Sequence, residues 1–313
     1  MIVVLIAALY AHTGSMPPLV VVESSSMVHN SDGEVGSIDA GDLVLVHKSS
    51  FENIVTFAEA TDPSNPYYGH EAHGMEGDVV IFRKNGEAST PIIHRAILRA
   101  VPNEVYSPNS TADQPCSDGG NFDPEWSIDG SQGACVLTWD VPGTNVVNQS
   151  NINIQFDGIE AGYYDCERLA HEGVEAHLVV HDWVPEHSGL LTLGDANKCS
   201  VDQGAGAVNH SSGLSTLDST VLGPVQESWL VGRAGGEIPW LGAVKLMVSG
   251  SGPGLEYVPG SSLTYLFVCI GGILVFPMVA DPLIRRIFST SPENIQAQQE
   301  KALLVALGVD EEE

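Results

Sequence analysis

The chain has 313 residues, enough for two ordinary domains or for one domain with appendages. Forty acidic residues against twelve basic ones leave a formal charge of −28, which argues against nucleic-acid binding because phosphate contacts need clustered Lys and Arg. A hydrophobic fraction of 43% rules out wholesale disorder. The acid runs through the middle of the chain, with Glu311, Glu312 and Glu313 adding only three charges. Such a surface suits high ionic strength, where salt screens the repulsion.

In chain order, Ile2 to Leu9 is apolar but too short to span a bilayer, and His12, Gly14, Pro17 and Pro18 then break the pattern. No basic residue precedes it, so residues 1–22 read as the end of an N-terminal membrane anchor whose start lies outside this chain, in preference to a signal segment. The centre reads as strands. Asp42–His47, Asp78–Arg83, Pro91–Leu98, His177–Trp183 and Gly189–Leu193 are short β-branched or apolar runs. The first two are opened by Gly-Asp pairs, Gly41-Asp42 and Gly77-Asp78, which suit a turn feeding a strand. Residues 102–162 differ, being rich in Asp, Asn, Ser, Gly and Pro, with short apolar runs such as Cys135–Trp139. This stretch reads as an acidic, disulfide-stapled insertion between the two parts of one domain, 23–101 and 163–255.

Ser262–Ala280 is 19 residues without a charge, near the minimum for a membrane helix. A buried core helix is the competing reading, but Gly271, Gly272 and Pro277 favour the membrane. Asp281, Arg285 and Arg286 follow at once, so the positive-inside rule puts the tail, 281–313, in the cytoplasm and the region from Glu23 to Tyr257 outside. The tail predicts one helix with Ser291 as N-cap, Pro292 at its first position and Gly308 as stop. Cys116, Cys135, Cys166 and Cys199 fall in the external region and allow three pairings, while Cys269 lies in the apolar segment. No Cys or His spacing suggests zinc. Sequons at Asn109, Asn148 and Asn209 agree with an outside location.

Three clusters carry possible chemistry: Leu19–Met27, a strand ending in three serines; Ile93-His94-Arg95 in an apolar strand; and Thr192–Asp202. A serine, a histidine and an aspartate are the parts of an activated nucleophile, in which His takes the hydroxyl proton and Asp orients the imidazole. Each cluster has a plainer reading as well: His94 as a core histidine, Gly194-Asp195 as a turn, Ser24–Ser26 as a loop.

Taken in this order the clusters resemble a type I signal peptidase of the archaeal and endoplasmic-reticulum kind. The matching elements are Val-Val-Glu-Ser-x-Ser-Met, Gly-Asp-Leu-Val-Leu-Val, Gly-Asp-Val-Val-Ile-Phe, Ile-Ile-His-Arg-Ala and Leu-Thr-x-Gly-Asp-x-Asn with a further Asp. Val-Gly-Arg-Ala near Ile-Pro-Trp-Leu-Gly completes the set, and the match covers about half the chain. Ser25 stands where that family has glycine, His29 where it has proline, and Ala196 where Asn is commoner. The Val28–Ala40 loop is also longer than usual.

The resemblance implies a mainly β fold: a signal-peptidase-like β-barrel or sheet catalytic domain, with an acidic insertion and membrane helices at the ends. It implies Ser26 as nucleophile, His94 as general base, Asp202 as the acidic partner of His94, and Asp195 as a second carboxylate. Ser24 is the hydroxyl assisting the oxyanion site, and Arg95 a brace. His29 is a rival base. Val20, Val22 and Val79 are the candidates for shallow pockets that take small residues at the −1 and −3 positions. The implied activity is removal of signal peptides from preproteins by a membrane-bound serine endopeptidase, with no cofactor and no metal. Membrane lipid and the protein-export machinery are the other implied partners. Two further readings are a catalytically inactive, membrane-anchored relative acting as a binding or scaffold protein, and a self-cleaving repressor-type peptidase. The last uses Ser/Lys and is disfavoured, because no Lys lies in the His94 strand.

Overall fold

A computed structural model describes residues 2–29, 32–33, 35–106, 121–123, 133–166, 177–203, 222–249, 254–289 and 292–306. The sequons at Asn109 and Asn209, Cys116, Ser291 and Gly308 lie outside these residues. Contacts divide the chain into two units, Met1–Ser262 and Leu263–Glu313. Strand slightly exceeds helix, 31% against 28%, and the named strand pairs are antiparallel, so the protein is mainly β.

The first unit opens with α1 (Ile2–Thr13). This helix stops at Gly14, whose φ of +67° suits glycine and whose N–H donates to Tyr10 O at 2.8 Å. Twelve residues are about 18 Å of helix, and Val4, Ile6 and Tyr10 on it are exposed. There follow β1 (Leu19–Val21), β2 (Leu43–His47), α2 (Phe57–Thr61), β3 (Glu71–Ala72), β4 (Met75–Glu76), β5 (Val79–Phe82) and β6 (Ile92–Tyr106). The unit continues with β7 (Asn121–Asp123), β8 (Ala134–Asp140), β9 (Ile152–Gln155), β10 (Val179–Trp183), β11 (Gly189–Leu193), β12 (Leu230–Ile238) and α3 (Gly242–Ser249). One sheet runs β1-β2-β12-β5-β6-β8-β7, with β11 also on β6; β9 with β10 and β3 with β4 form two small sheets.

β6 organises this sheet. Fifteen residues extend about 50 Å, long enough for three partners in turn. Ile92–Arg95 pairs with β5, Arg95–Ala100 with β11, and Val101–Tyr106 with β8. The strand therefore runs straight through residues 101 and 102, where the sequence predicts an insertion to begin. Trp139 of β8 and Ile152 of β9 pack in the same cluster as Phe57, Ile97, Leu98 and Leu193. The described parts of 102–162 thus share a core with the rest of the unit, and are not a self-contained stapled subdomain. A disulfide joins Cys166 to Cys199, and Cys135 is disulfide-bonded as well.

A second cluster, Val22, Met27, Ile38, Val44, Val46, Val79, Ile81 and Ala234, lies beneath β1, β2, β12 and β5. The two Gly-Asp pairs fasten these strands. Gly41 and Gly77 have φ of +96° and +80°, and a Cβ on Gly77 would stand 2.6 Å from Phe57 N. The aspartates that follow are buried. Asp42 accepts from Trp240 N (2.8 Å) and Asp39 N (2.9 Å), and Asp78 accepts from Val55 N (2.9 Å). Burial pushes the Asp42 carboxyl up to about 7, with Asp39 and Glu237 adding to the shift against those backbone bonds.

The strands expected at 42–47, 78–83, 177–183 and 189–193 appear within two residues of those bounds, and 91–98 lengthens to 92–106. β12 is a central strand without a strand-like sequence, since it carries Gly232, Gly235 and Gly236. The reason is close approach: a Cβ on Gly232 would stand 2.5 Å from His47 O.

In the second unit α4 (Gly260–Ser289, which starts in the first) continues through Pro277 and Pro282 and is followed by α5 (Pro292–Ala306). Its Gly260–Pro282 stretch, 23 residues, is long and apolar enough to cross a membrane. Ile273, Leu274, Phe276 and Met278 on it are exposed, unlike the residues of a core helix.

Candidate functional site

Three segments meet at the site. The first is the turn after β1. Val22 and Met27 are both buried in the second cluster, so the four residues between them are held as a short arch in which Ser24 and Ser25 are exposed and Ser26 is half-buried. Val28 N donates to Ser25 O at 3.2 Å to close the turn. Ser25 is not among the residues of positive φ, so nothing in the backbone there requires glycine.

The second segment is the start of β6, where strand alternation sends His94 and Arg95 to opposite faces. His94 Nε2 lies 3.0 Å from Ser26 Oγ, and His94 Nδ1 lies 2.5 Å from Asp202 Oδ2. Ser24 Oγ lies 3.2 Å from Ser26 Oγ. Arg95, fully buried, donates through Nε and Nη2 to the two oxygens of Asp195 at 2.9 and 2.7 Å. Its Nη1 reaches the carbonyls of Ala72, Met75, Glu76 and Gly77, from 2.7 to 3.2 Å.

The third segment is the chain leaving β11. Gly194–Asn197 forms a turn, with Asn197 N donating to Gly194 O (2.8 Å), and Ala196 N donates to Ser26 O (2.8 Å). The chain then doubles back, Asp202 N donating to Thr192 O at 3.0 Å. Thr192 Oγ1 donates to Asp202 Oδ2 at 2.7 Å, and Gln203 holds Thr192 through both its amide atoms, at 2.7 and 3.1 Å. Asp202 Oδ2 thus faces an imidazole and a hydroxyl in a fully buried position. A hydroxyl hydrogen-bonded to an imidazole, itself oriented by a buried carboxylate, is equipped to lose its proton and attack a carbonyl.

The two aspartates do different work. Asp202 faces His94, whereas Asp195 faces Arg95. Burial alone would raise the Asp195 carboxyl, but the Arg95 charge, with hydrogen bonds from His29 and Arg95, holds it well below the usual carboxylate range. The Arg95 guanidinium, which burial would lower, is raised by the same pairing. His29, the rival base, places its Nε2 2.7 Å from Asp195 Oδ2. It is Nε2 of His94 that meets Ser26.

A cleft of about 400 Å³ opens beside this array. One wall is Val21–Ser24 at the end of β1; the other is Thr90–Ile93 leading into β6, with Ser26, His94 and Asn197 at the floor. Of the three valines expected to line it, only Val22 does. Val20 is half-buried against the second cluster, and Val79 is wholly inside that cluster, paired across the sheet with Arg95. Alternation explains the error: in a strand buried on both faces, as β5 is, apolar sequence does not reveal which residues meet the cleft. Pro91, Ile92 and Ile93 supply the apolar wall instead.

Sequence reasoning assigned no role to Thr192, Gln203 or Asn197, and treated Gly194 only as a turn. A Cβ on Gly194 would stand 2.7 Å from Ser26 O and Asn197 Nδ2, and 2.8 Å from His94 Nε2. A side chain at this position would keep Ser26 and His94 from closing over it. The signal was present in the doubled polar pattern around Thr192 and Asp202, but only folding pairs their side chains.

No family model, curated protein or solved structure matches the chain.

Proposed function

We propose that the protein is a membrane-bound serine endopeptidase of the signal-peptidase type. In this reading Ser26 attacks the peptide carbonyl, His94 takes its proton and returns it to the leaving amine, and Asp202 holds the imidazole in the productive tautomer. The Ser26 backbone N–H and the Ser24 hydroxyl serve the oxyanion. The observation that carries the reading is the hydrogen-bonded series Ser26–His94–Asp202 at the floor of an apolar cleft.

The cleft suits an extended peptide lying between the end of β1 and the start of β6, with small side chains against Val22 and Ile93. The apolar stretch of α4 supports membrane attachment. That attachment confines enzyme and preprotein to one plane and turns a three-dimensional search into a two-dimensional one. The partners are preproteins and lipid, with the protein-export machinery as the source of substrate. The catalytic unit lies outside the cytoplasm and the C-terminal tail within it.

The test is cleavage of a synthetic preprotein by membranes containing the wild type or Ser26→Ala, His94→Ala and Asp202→Ala. The expected outcome is loss of cleavage in the first two and a large fall in the third. Undiminished cleavage by Ser26→Ala would refute the peptidase reading. Wild-type protein that binds preprotein without cutting it would leave a membrane-anchored binding protein.

A further inference from the structure

Asn197 lies outside the Ser26–His94–Asp202 series, yet it is fastened to the nucleophile. Its N–H closes the turn onto Gly194 O, and the preceding residue, Ala196, donates to Ser26 O. Its side chain borders the cleft together with Ser24, Ser26 and His94. The Asn197 Nδ2, Ser26 O and His94 Nε2 atoms converge on one side of the Gly194 α-carbon, each 2.7 or 2.8 Å from where a Cβ would be. An asparagine in a tight turn ordinarily folds its side chain back onto the local backbone. This carboxamide makes no hydrogen bond among the described residues, so its donor and acceptor are both offered to an occupant of the cleft.

We propose that Asn197 is a substrate-contacting residue, donating from its side chain to the main-chain carbonyl of the residue just after the scissile bond. This inference rests on the endopeptidase reading. The side of the bond follows from the chemistry: the histidine that accepts the serine proton returns it to the leaving amine, so the leaving half of the substrate lies against His94. The Asn197 Nδ2 and His94 Nε2 both lie within 2.8 Å of where a Cβ on Gly194 would stand, so the carboxamide is a near neighbour of the base that the leaving half would face. Holding the carbonyl there fixes the leaving nitrogen within reach of Nε2, and such positioning is a large part of what a site contributes to acyl transfer.

The experiment uses the full chain in membranes and a synthetic preprotein with one defined cleavage site. It compares wild type, Ser26→Ala, Asn197→Ala and Asn197→Asp for kcat, KM and the pH profile of kcat/KM. Asn197→Ala is expected to lower kcat/KM about tenfold, the loss of one hydrogen bond, with a raised KM and an unchanged melting temperature. Asn197→Asp keeps the shape, loses the donor and sets a carboxylate beside the base. It is expected to be as impaired and to move the acid limb of the profile to higher pH, a displacement that a merely structural residue would not produce. Asn197→Ala within twofold of wild type, or an unmoved acid limb in Asn197→Asp, overturns the proposal. A loss confined to kcat, with KM unchanged, also overturns it by moving the contact to the transition-state oxygen. Wild-type cleavage by Ser26→Ala refutes the endopeptidase reading instead, so the two failures are distinct.

Discussion

Gly194→Ala isolates the closure of base over nucleophile better than removal of either. A methyl at this position meets Ser26 O and Asn197 Nδ2 at 2.7 Å and His94 Nε2 at 2.8 Å. Ordinary contact begins near 3.4 Å, so these atoms must retreat by about 0.6–0.7 Å. Ser26 O is tied to Ala196 N at 2.8 Å and cannot move without opening the turn. The imidazole gives most easily, and a retreat of that size stretches its 3.0 Å bond to Ser26 Oγ beyond hydrogen-bonding range. Displacements near 1 Å at reacting groups cost about a hundredfold in rate, so kcat is expected to fall roughly thirty- to a hundredfold. The backbone at Gly194 is not in the left-handed region, so alanine adds no φ strain, but the main-chain Ser26 O must also yield, and alanine should cost about 1–3 kcal/mol of stability as well. Preprotein cleavage and thermal unfolding, measured together, check this. Gly236→Ala is the control, because its Cβ would meet only Leu45 Cδ1, at 3.9 Å. Near-wild-type kcat in Gly194→Ala, or equal loss in Gly236→Ala, would refute the reasoning.

Three further outcomes follow from the same geometry. Asp202→Asn replaces an acceptor of two hydrogen bonds, from His94 and Thr192, and frees the imidazole to take the unproductive tautomer; kcat should fall about a thousandfold or more at unchanged stability, read by single-turnover cleavage. Arg95→Met leaves the Asp195 carboxylate buried with only His29 beside it, which should cost about 3–5 kcal/mol, and the Arg95→Met/Asp195→Leu pair should recover much of that in urea unfolding. The Asp42 carboxyl, raised from 3.8 to about 7, is protonated in the folded state and ionised in the unfolded state between those values. Folding therefore takes up a proton there, and the stability is full below about pH 4 and lost as pH rises through 7. That loss is about 4 kcal/mol by pH 8, so wild type should show a downward slope in urea-unfolding free energy that Asp42→Asn lacks.

The serine run ending at Met27, the His94 strand and the Gly-Asp-containing segment were legible as chemistry because each joins a reactive side chain to apolar neighbours that anchor it. The strands were legible where β-branched residues dominate, as in 42–47 and 78–83. β12 was not, because Gly232 is required by the close approach of the β2 backbone and its three glycines carry no strand signal. β6 runs across the expected insertion boundary for a related reason: nothing in the composition of 102–106 shows that the strand continues to find a partner.

What the sequence alone determined was local: which segments are apolar, where the turns fall, and which residues have reactive groups. It left both aspartates as candidates beside His94, His29 as a rival base, and three valines as the pocket. Only the tertiary structure decided these, because each depends on which face of a strand meets which loop. β11 returns along β6 and doubles back through residue 202, setting Asp202 behind His94 and Asp195 behind Arg95. That pairing brings together groups about a hundred residues apart, and no pattern confined to a short stretch of chain contains it.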